Sequence, residues 1–123
     1  MATMKKKILI IEDEKPIARA LELKLTHAGF EVVVIFNGED GIALLREETY
    51  ALILLDLVMP KTDGFAVLEI IKDKKIKTPI MVLTNLNQEE DKKRVMGLGA
   101  QEFFVKSNTP IATIVECVKK KLS

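Results

Sequence analysis

Ala51-Leu52-Ile53-Leu54-Leu55 is an unbroken apolar run that stops at a bare carboxylate, Asp56, with Pro60, Asp63 and Gly64 marking a turn beyond it. Such a run, apolar at every position, reads as a strand buried on both faces. A buried strand cannot readily hold a charge, so Asp56 belongs at its C-terminal mouth, facing solvent. In parallel α/β sheets that mouth is where ligands bind. Asp56 is therefore the candidate centre of the site.

The rest of the chain falls into place around that strand. Lys5 to Glu12 predicts a first strand, with Ile8 to Ile11 as its apolar run and the acids Glu12-Asp13-Glu14 after it. Pro16 suits the first turn of a helix whose apolar face is Ile17, Leu21, Leu25 and Ala28, closed by Gly29. Phe30 to Phe36 is β-branched and aromatic and predicts a second strand. Asn37 caps a helix running to about Glu48, with Ile42 and Leu45 turned inward. The third strand is Ala51 to Asp56, and Asp63-Gly64 opens a helix carrying Phe65, Leu68 and Ile71. Pro79 to Thr84 predicts a fourth strand. Asn87-Gln-Glu-Glu90 resembles a capping box for a helix with few apolar positions, Val95, Met96 and Leu98. Glu102 to Val105 predicts a fifth strand ending at Lys106. Thr109-Pro110 is expected to cap a last helix with Ile111, Ile114, Val115, Val118 and Leu122 inside.

Five strands alternating with five helices through short connections predict a parallel sheet covered on both faces. The 123 residues suit one domain, with a core at about 5–122 and Met4 readable as a start after three foreign residues. No apolar run reaches the roughly 20 residues of a membrane span, and no signal peptide is visible, so a cytoplasmic location is expected. With 19 basic and 18 acidic side chains the net charge is +1, which offers no electrostatic footprint for nucleic acid. Cys117 is the single cysteine and His27 the single histidine, which excludes an internal disulfide and argues against zinc and Ser-His-Asp or Cys-His chemistry. His27 reads as a surface residue, Cys117 as a small partly buried hydrophobe, and Lys5 to Lys7 and Lys72 to Lys77 as solvated charge.

At the strand ends stand Glu12 and Asp13, then Asp56, Thr84 and Lys106. Carboxylates gathered this closely repel unless a cation joins them. Mg²⁺ fits, since it binds through one or two carboxylates and keeps waters and phosphate oxygens. Thr84 and Lys106 suit the other side of a phosphoryl group, as hydrogen-bond donor and counter-charge. The chemistry implied is phosphoryl transfer to a carboxylate. Each residue alone has a plainer reading: Glu12-Asp13-Glu14 as an acidic first helical turn, Thr84 as a β-former, Lys106 as a surface lysine and Phe103 as core.

The motifs Ile10-Ile-Glu-Asp-Glu14, Leu54-Leu-Asp-Leu-Val-Met-Pro60 with Asp63-Gly64, Val82-Leu-Thr84, and Gly99-Ala100 leading to Phe103-Phe-Val-Lys106 together resemble the receiver domain of bacterial two-component response regulators. The resemblance runs from Lys6 to Leu122, and in size the chain is similar to the single-domain, chemotaxis-regulator-like members. It implies an α/β, flavodoxin-like doubly wound sheet of five parallel strands in the order 2-1-3-4-5, with five helices. It implies that Asp56 is the phospho-acceptor, Thr84 the switch hydroxyl, Lys106 the phosphoryl counter-charge and Phe103 the switch aromatic. Asp13, Asp56, Glu12 and the backbone carbonyl of Val58 would hold Mg²⁺ (or Mn²⁺). The implied donor is a sensor histidine kinase or phosphotransfer protein. The face of the fourth helix, fifth strand and fifth helix would take a downstream protein, or a second copy in a phosphorylation-dependent homodimer. No direct nucleic-acid or membrane contact is expected, and no catalysis beyond self-phosphorylation and slow autodephosphorylation.

Two positions depart from the family pattern. Ser107 follows the lysine where the family has proline in a cis bond, which before serine costs about 3–4 kcal/mol. Either that strain is kept, or the bond is trans and other contacts hold Lys106. Asn85 replaces a small residue, and Val58 and Leu86 are apolar beside the expected attacking water, which predicts slow autodephosphorylation. Among rivals, a haloacid-dehalogenase-like phosphohydrolase needs a second aspartate where Val58 stands. A flavodoxin would need donors where Glu12-Asp13-Glu14 would repel a phosphate. A degenerate receiver that binds without being phosphorylated is the third alternative.

Overall fold

In the computed structural model, which describes residues 5–59 and 63–123, the apolar runs become five strands: β1 (Lys7–Ile11), β2 (Glu31–Ile35), β3 (Leu52–Leu55), β4 (Ile80–Thr84) and β5 (Glu102–Val105). Between and after them run α1 (Lys15–His27), α2 (Gly38–Glu47), α3 (Gly64–Asp73), α4 (Glu89–Gly97) and α5 (Ile111–Leu122). All neighbouring strands pair in parallel, in the order β2-β1-β3-β4-β5. The direction of winding reverses between β1 and β3, which is the doubly wound, flavodoxin-like arrangement. Met1 to Met4, and Pro60 of the expected turn, lie outside the described residues.

Side-chain alternation divides each central strand between two cores. Ile8, Ile10, Leu52, Leu54, Met81 and Leu83 face one side, where Leu21 and Leu25 of α1 and Ile114, Val115 and Val118 of α5 cover them. Leu9, Ile11, Ile53, Leu55, Ile80 and Val82 face the other, under Phe65, Val67, Leu68 and Ile71 of α3 and Val95 of α4. Ile42 and Leu45 of α2 pack against that second core, as their spacing predicts. A central strand buried on both faces cannot show polar alternation, which is why β3 reads as a continuous apolar run.

Several local expectations are corrected. Ala28 is exposed because α1 ends at His27, and Ala18, one turn before Leu21, is the buried alanine instead. Gly29 does close the helix, with φ +102°. Asn37 and Asp63 cap α2 and α3 by accepting from Asp40 N and Phe65 N. The capping box before α4 does not form: Gln88 holds the cap position without a side-chain bond. Pro110, not Thr109, holds the cap position of α5, and the Thr109 hydroxyl donates to Val105 O at 2.8 Å. Helix α4 buries only Val95, in keeping with its sparse apolar positions.

Candidate functional site

Parallel registers carry the polar residues to one edge. Ile11 pairs with Leu55, so the next residues, Glu12 and Asp56, emerge side by side; Asp56 N donates to Ile11 O at 2.9 Å. Thr84 pairs with Val105, which sets Lys106 one step beyond it on β5. The loop after β3 is drawn in by Val58 N donating to Asp56 Oδ1 at 3.2 Å and by Gly64 N donating to Leu57 O at 2.9 Å. Gly64 is required there, because a Cβ would lie 2.4 Å from Leu57 Cα and 2.5 Å from the Asp56 carbonyl oxygen.

Three carboxylates surround the Lys106 ammonium: Glu12 Oε1 at 2.6 Å, Glu14 Oε2 at 2.7 Å and Asp56 Oδ2 at 3.1 Å. Glu12 Oε1 is ion-paired with the ammonium, whereas Asp13 Oδ1 is buried with no hydrogen-bond partner among the described residues. Glu12 Oε2 is satisfied by Glu14 N at 3.0 Å. Asp56 stands at the strand mouth but does not face solvent as expected: it and Glu12 are almost wholly buried against the Lys106 ammonium, and burial sets their titration. It pushes the Glu12 carboxyl up to about 7, against the pull of Lys106, with the Asp56 charge adding to the rise. It also raises the Asp56 carboxyl, against the pull of Lys106 and the Val58 N–H. For Lys106, burial favours the neutral amine, yet hydrogen bonds and charge from Glu12, Glu14 and Asp56 overcome it and hold the ammonium above its usual range.

Glu12, Asp13 and Asp56 each offer an oxygen, all within 4.8 Å of one another. Asp13 Oδ1, buried with no hydrogen-bond partner among the described residues, and three carboxylates gathered on one ammonium mark a site short of positive charge, and an oxygen-seeking divalent cation suits that donor set. Asp13, Glu14, Asp56, Val58, Asn85, Leu86 and Lys106 line an open depression of about 300 Å³ over it.

Of the residues singled out in the sequence, Glu12, Asp13, Asp56 and Lys106 thus converge. Thr84 is fully buried at the end of β4, its Oγ1 accepting from Leu86 N at 3.3 Å. Phe103 is half-buried and packs on the core beneath α3 and α4. The Lys106–Ser107 bond is trans, since the described residues contain no cis peptide, and Lys106 opens a 3₁₀ turn through Asn108. Glu14 is the site residue that the sequence reading assigned no role beyond the acidic run. The available signal was a third acid beside Glu12-Asp13, opposite a lysine without the expected proline.

Comparison with known proteins agrees with this geometry. The family model described as response regulator receiver domain matches residues 8–119. The probable transcriptional regulator ycf27 of Porphyra purpurea is 38% identical over 110 residues, which are 89% of this chain and 45% of that protein. The chain therefore spans less than half the length of that relative. The phosphorylated cyanobacterial phytochrome response regulator RcpA superposes with a TM-score of 0.80 at 32% identity, covering 95% of this chain and 91% of its own. The Mn²⁺-bound form of response regulator Rcp1 has a TM-score of 0.80 at 28% identity, covering 94% and 92%. A fold of strand order 2-1-3-4-5, an acidic cluster at its carboxyl edge, and a family match over nearly the whole length identify the chain as a member of the response regulator receiver domains of two-component systems.

Proposed function

We propose that this receiver domain accepts a phosphoryl group on Asp56 and thereby switches a protein-interaction surface. The observation that carries the reading is the Lys106 ammonium 3.1 Å from Asp56 Oδ2, beside Asp13 Oδ1, which is buried with no hydrogen-bond partner. The first is a counter-charge for a phosphoryl oxygen, and the second is a free metal ligand. RcpA, which is phosphorylated, and Rcp1, which binds Mn²⁺, support extending both properties to this chain.

The donor is a phosphohistidine of a sensor histidine kinase or phosphotransfer protein. Its N–P bond breaks as a bond from an Asp56 oxygen to phosphorus forms, and the imidazole nitrogen leaves with the electron pair. Asp13, Asp56, Glu12 and the Val58 carbonyl would hold Mg²⁺ (or Mn²⁺), which supplies charge neutralisation for the incoming phosphoryl oxygens. Lys106 and the Thr84 hydroxyl take the remaining oxygens, and a hydroxyl released from Leu86 N is what lets Thr84 turn. Phe103, packed on the core under α4, is placed to feel that turn and to alter the surface of α4, β5 and α5. A downstream protein, or a second phosphorylated copy, docks there. The domain acts in the cytoplasm, as is typical of receiver domains; among the described residues no helix is long and apolar enough to cross a membrane.

No reaction beyond self-phosphorylation and slow autodephosphorylation is assigned. Val58 is 57% exposed and lines the depression with Leu86, so these two positions offer an attacking water no polar side chain. The Lys106–Asp56 contact favours a working site over a degenerate receiver. Intact-mass spectrometry after incubation with Mg²⁺ and acetyl phosphate tests the reading: one phosphoryl adduct that requires Mg²⁺ and is lost in Asp56→Asn is expected. An adduct that survives in Asp56→Asn, or none in the wild type, would refute it.

A further inference from the structure

We propose that Glu14 is a competing anchor for Lys106: it holds the ammonium on the α1 side of the site, and a phosphoryl group on Asp56 must draw it away. This inference rests on the phosphorylation reading above and adds a residue to it. Lys106 is 7% exposed, and an ammonium has three hydrogens to donate. Three carboxylates already surround it, and the one destined for the phosphoryl group, Asp56, is the most distant at 3.1 Å. A new contact to a phosphoryl oxygen therefore displaces an old one.

The surroundings decide which partner yields. Glu12 is 2% exposed and belongs to the acidic group that would face the metal. Asp56 carries the phosphoryl group. Glu14 is 48% exposed, so its carboxylate returns to water at little cost. Nor is it tied to its own helix: Glu14 is the residue before α1, its side chain makes no cap bond there, and it accepts from Lys106 Nζ at 2.7 Å. Lys106 itself stays buried throughout, so the exchange is a change of partner at its ammonium and not a withdrawal of the side chain to solvent.

The test is calorimetric titration of beryllofluoride, a stand-in for the phosphoryl group, at saturating Mg²⁺. Glu14→Gln is expected to bind it roughly threefold to fivefold more tightly than wild type, the scale of a half-exposed ion pair. In a Lys106→Met background the same substitution is expected to change nothing, because the effect passes through Lys106. Unchanged or weaker binding by Glu14→Gln overturns the proposal, as does an equal gain in both backgrounds, which would mark a through-space effect of charge. Should Lys106→Met not fold, Glu14→Asp supplies the second measurement, since it keeps the charge but draws the carboxylate back by one methylene. A gain like that of Glu14→Gln supports the contact, and wild-type affinity, which would mark a through-space effect of charge, overturns it. Wild-type protein that takes neither beryllofluoride nor phosphate from acetyl phosphate overturns the phosphorylation reading and this inference together. Wild type that takes both, with no gain in Glu14→Gln, overturns the anchor alone.

Discussion

Gly64 rests directly on the backbone of Leu57: its N–H donates to Leu57 O at 2.9 Å, and a Cβ at residue 64 would meet Leu57 Cα at 2.4 Å. The neighbour is main chain, not the end of a mobile side chain, so it cannot step aside without moving the residue after Asp56. Gly64→Ala is expected to cost about 1–3 kcal/mol, the usual penalty for overpacking. It should also slow phosphorylation from acetyl phosphate, because Asp56 moves with its loop. Denaturant unfolding and adduct formation measured together check this. Full stability with a normal rate would show that the loop yields freely.

Helix α4 has one buried residue, Val95, and a second tie to its neighbour through Arg94. The Arg94 guanidinium lies 4.0 Å over the Phe65 ring and 3.5 Å from Glu69 Oε1, both on α3. Arg94→Ala is expected to cost about 0.5–1 kcal/mol, mostly from the stacking contact, since the Glu69 pair is exposed. The loss should be local. Amides of α4 are expected to exchange roughly fivefold faster while those of β3 and β4 keep their protection. Uniform acceleration across the sheet would mean that the contact supports the whole fold.

At the opposite edge, the Tyr50 hydroxyl donates to Glu48 Oε2 at 2.8 Å and Lys7 Nζ lies 3.4 Å from Oε1. The Tyr50 hydrogen bond, then the Lys7 charge, hold the Glu48 carboxyl below its ordinary 4.5. A carboxyl depressed on folding binds fewer protons in the native state than in the unfolded one. Its stabilisation is therefore present above the unfolded value and is lost as pH falls through the native one. Tyr50→Phe removes the largest cause, so the stability gap from wild type should be widest near pH 7 and narrow below about pH 4. Urea unfolding at pH 7 and at pH 3 measures it, and an equal gap at both would exclude the linkage.

Much of this was legible in the sequence because a parallel sheet writes itself in apolar runs. The runs around Leu9, Ile53 and Val82 located the central strands, and the polar residues directly after them located the site, because parallel register brings equivalent ends together. Misread details depended on where single bonds go. Nothing in Thr109-Pro110 says that the hydroxyl turns back to Val105 O, and Asn87-Gln-Glu-Glu90 has the composition of a capping box without its geometry. The Lys106–Ser107 bond could be trans or cis on sequence grounds. It is trans, as the cost of a cis bond before serine favours. Glu14 was hidden for a different reason: its partner is 92 residues away, and an acid before a helix already has a sufficient local explanation.

Asp13 holds a buried oxygen with no hydrogen-bond partner beside Glu12 and Asp56. Without a cation these charges repel, and among the described residues only Lys106 is paired against them. Asp13→Asn keeps the shape and removes one charge, so the metal-free variant should be at least as stable as the metal-free wild type. Added Mg²⁺ should separate them in the other direction. At free Mg²⁺ tenfold above its Kd, a ligand that binds only the folded state contributes about 1.4 kcal/mol. Wild type is expected to show that gain, and Asp13→Asn to lose most of it, because Asp13 offers the free ligand oxygen. Thermal melts with EDTA and with MgCl₂ read both halves. An equal Mg²⁺ shift in the two proteins would place the cation elsewhere, and a destabilised metal-free variant would mean that the Asp13 charge has a partner in the fold.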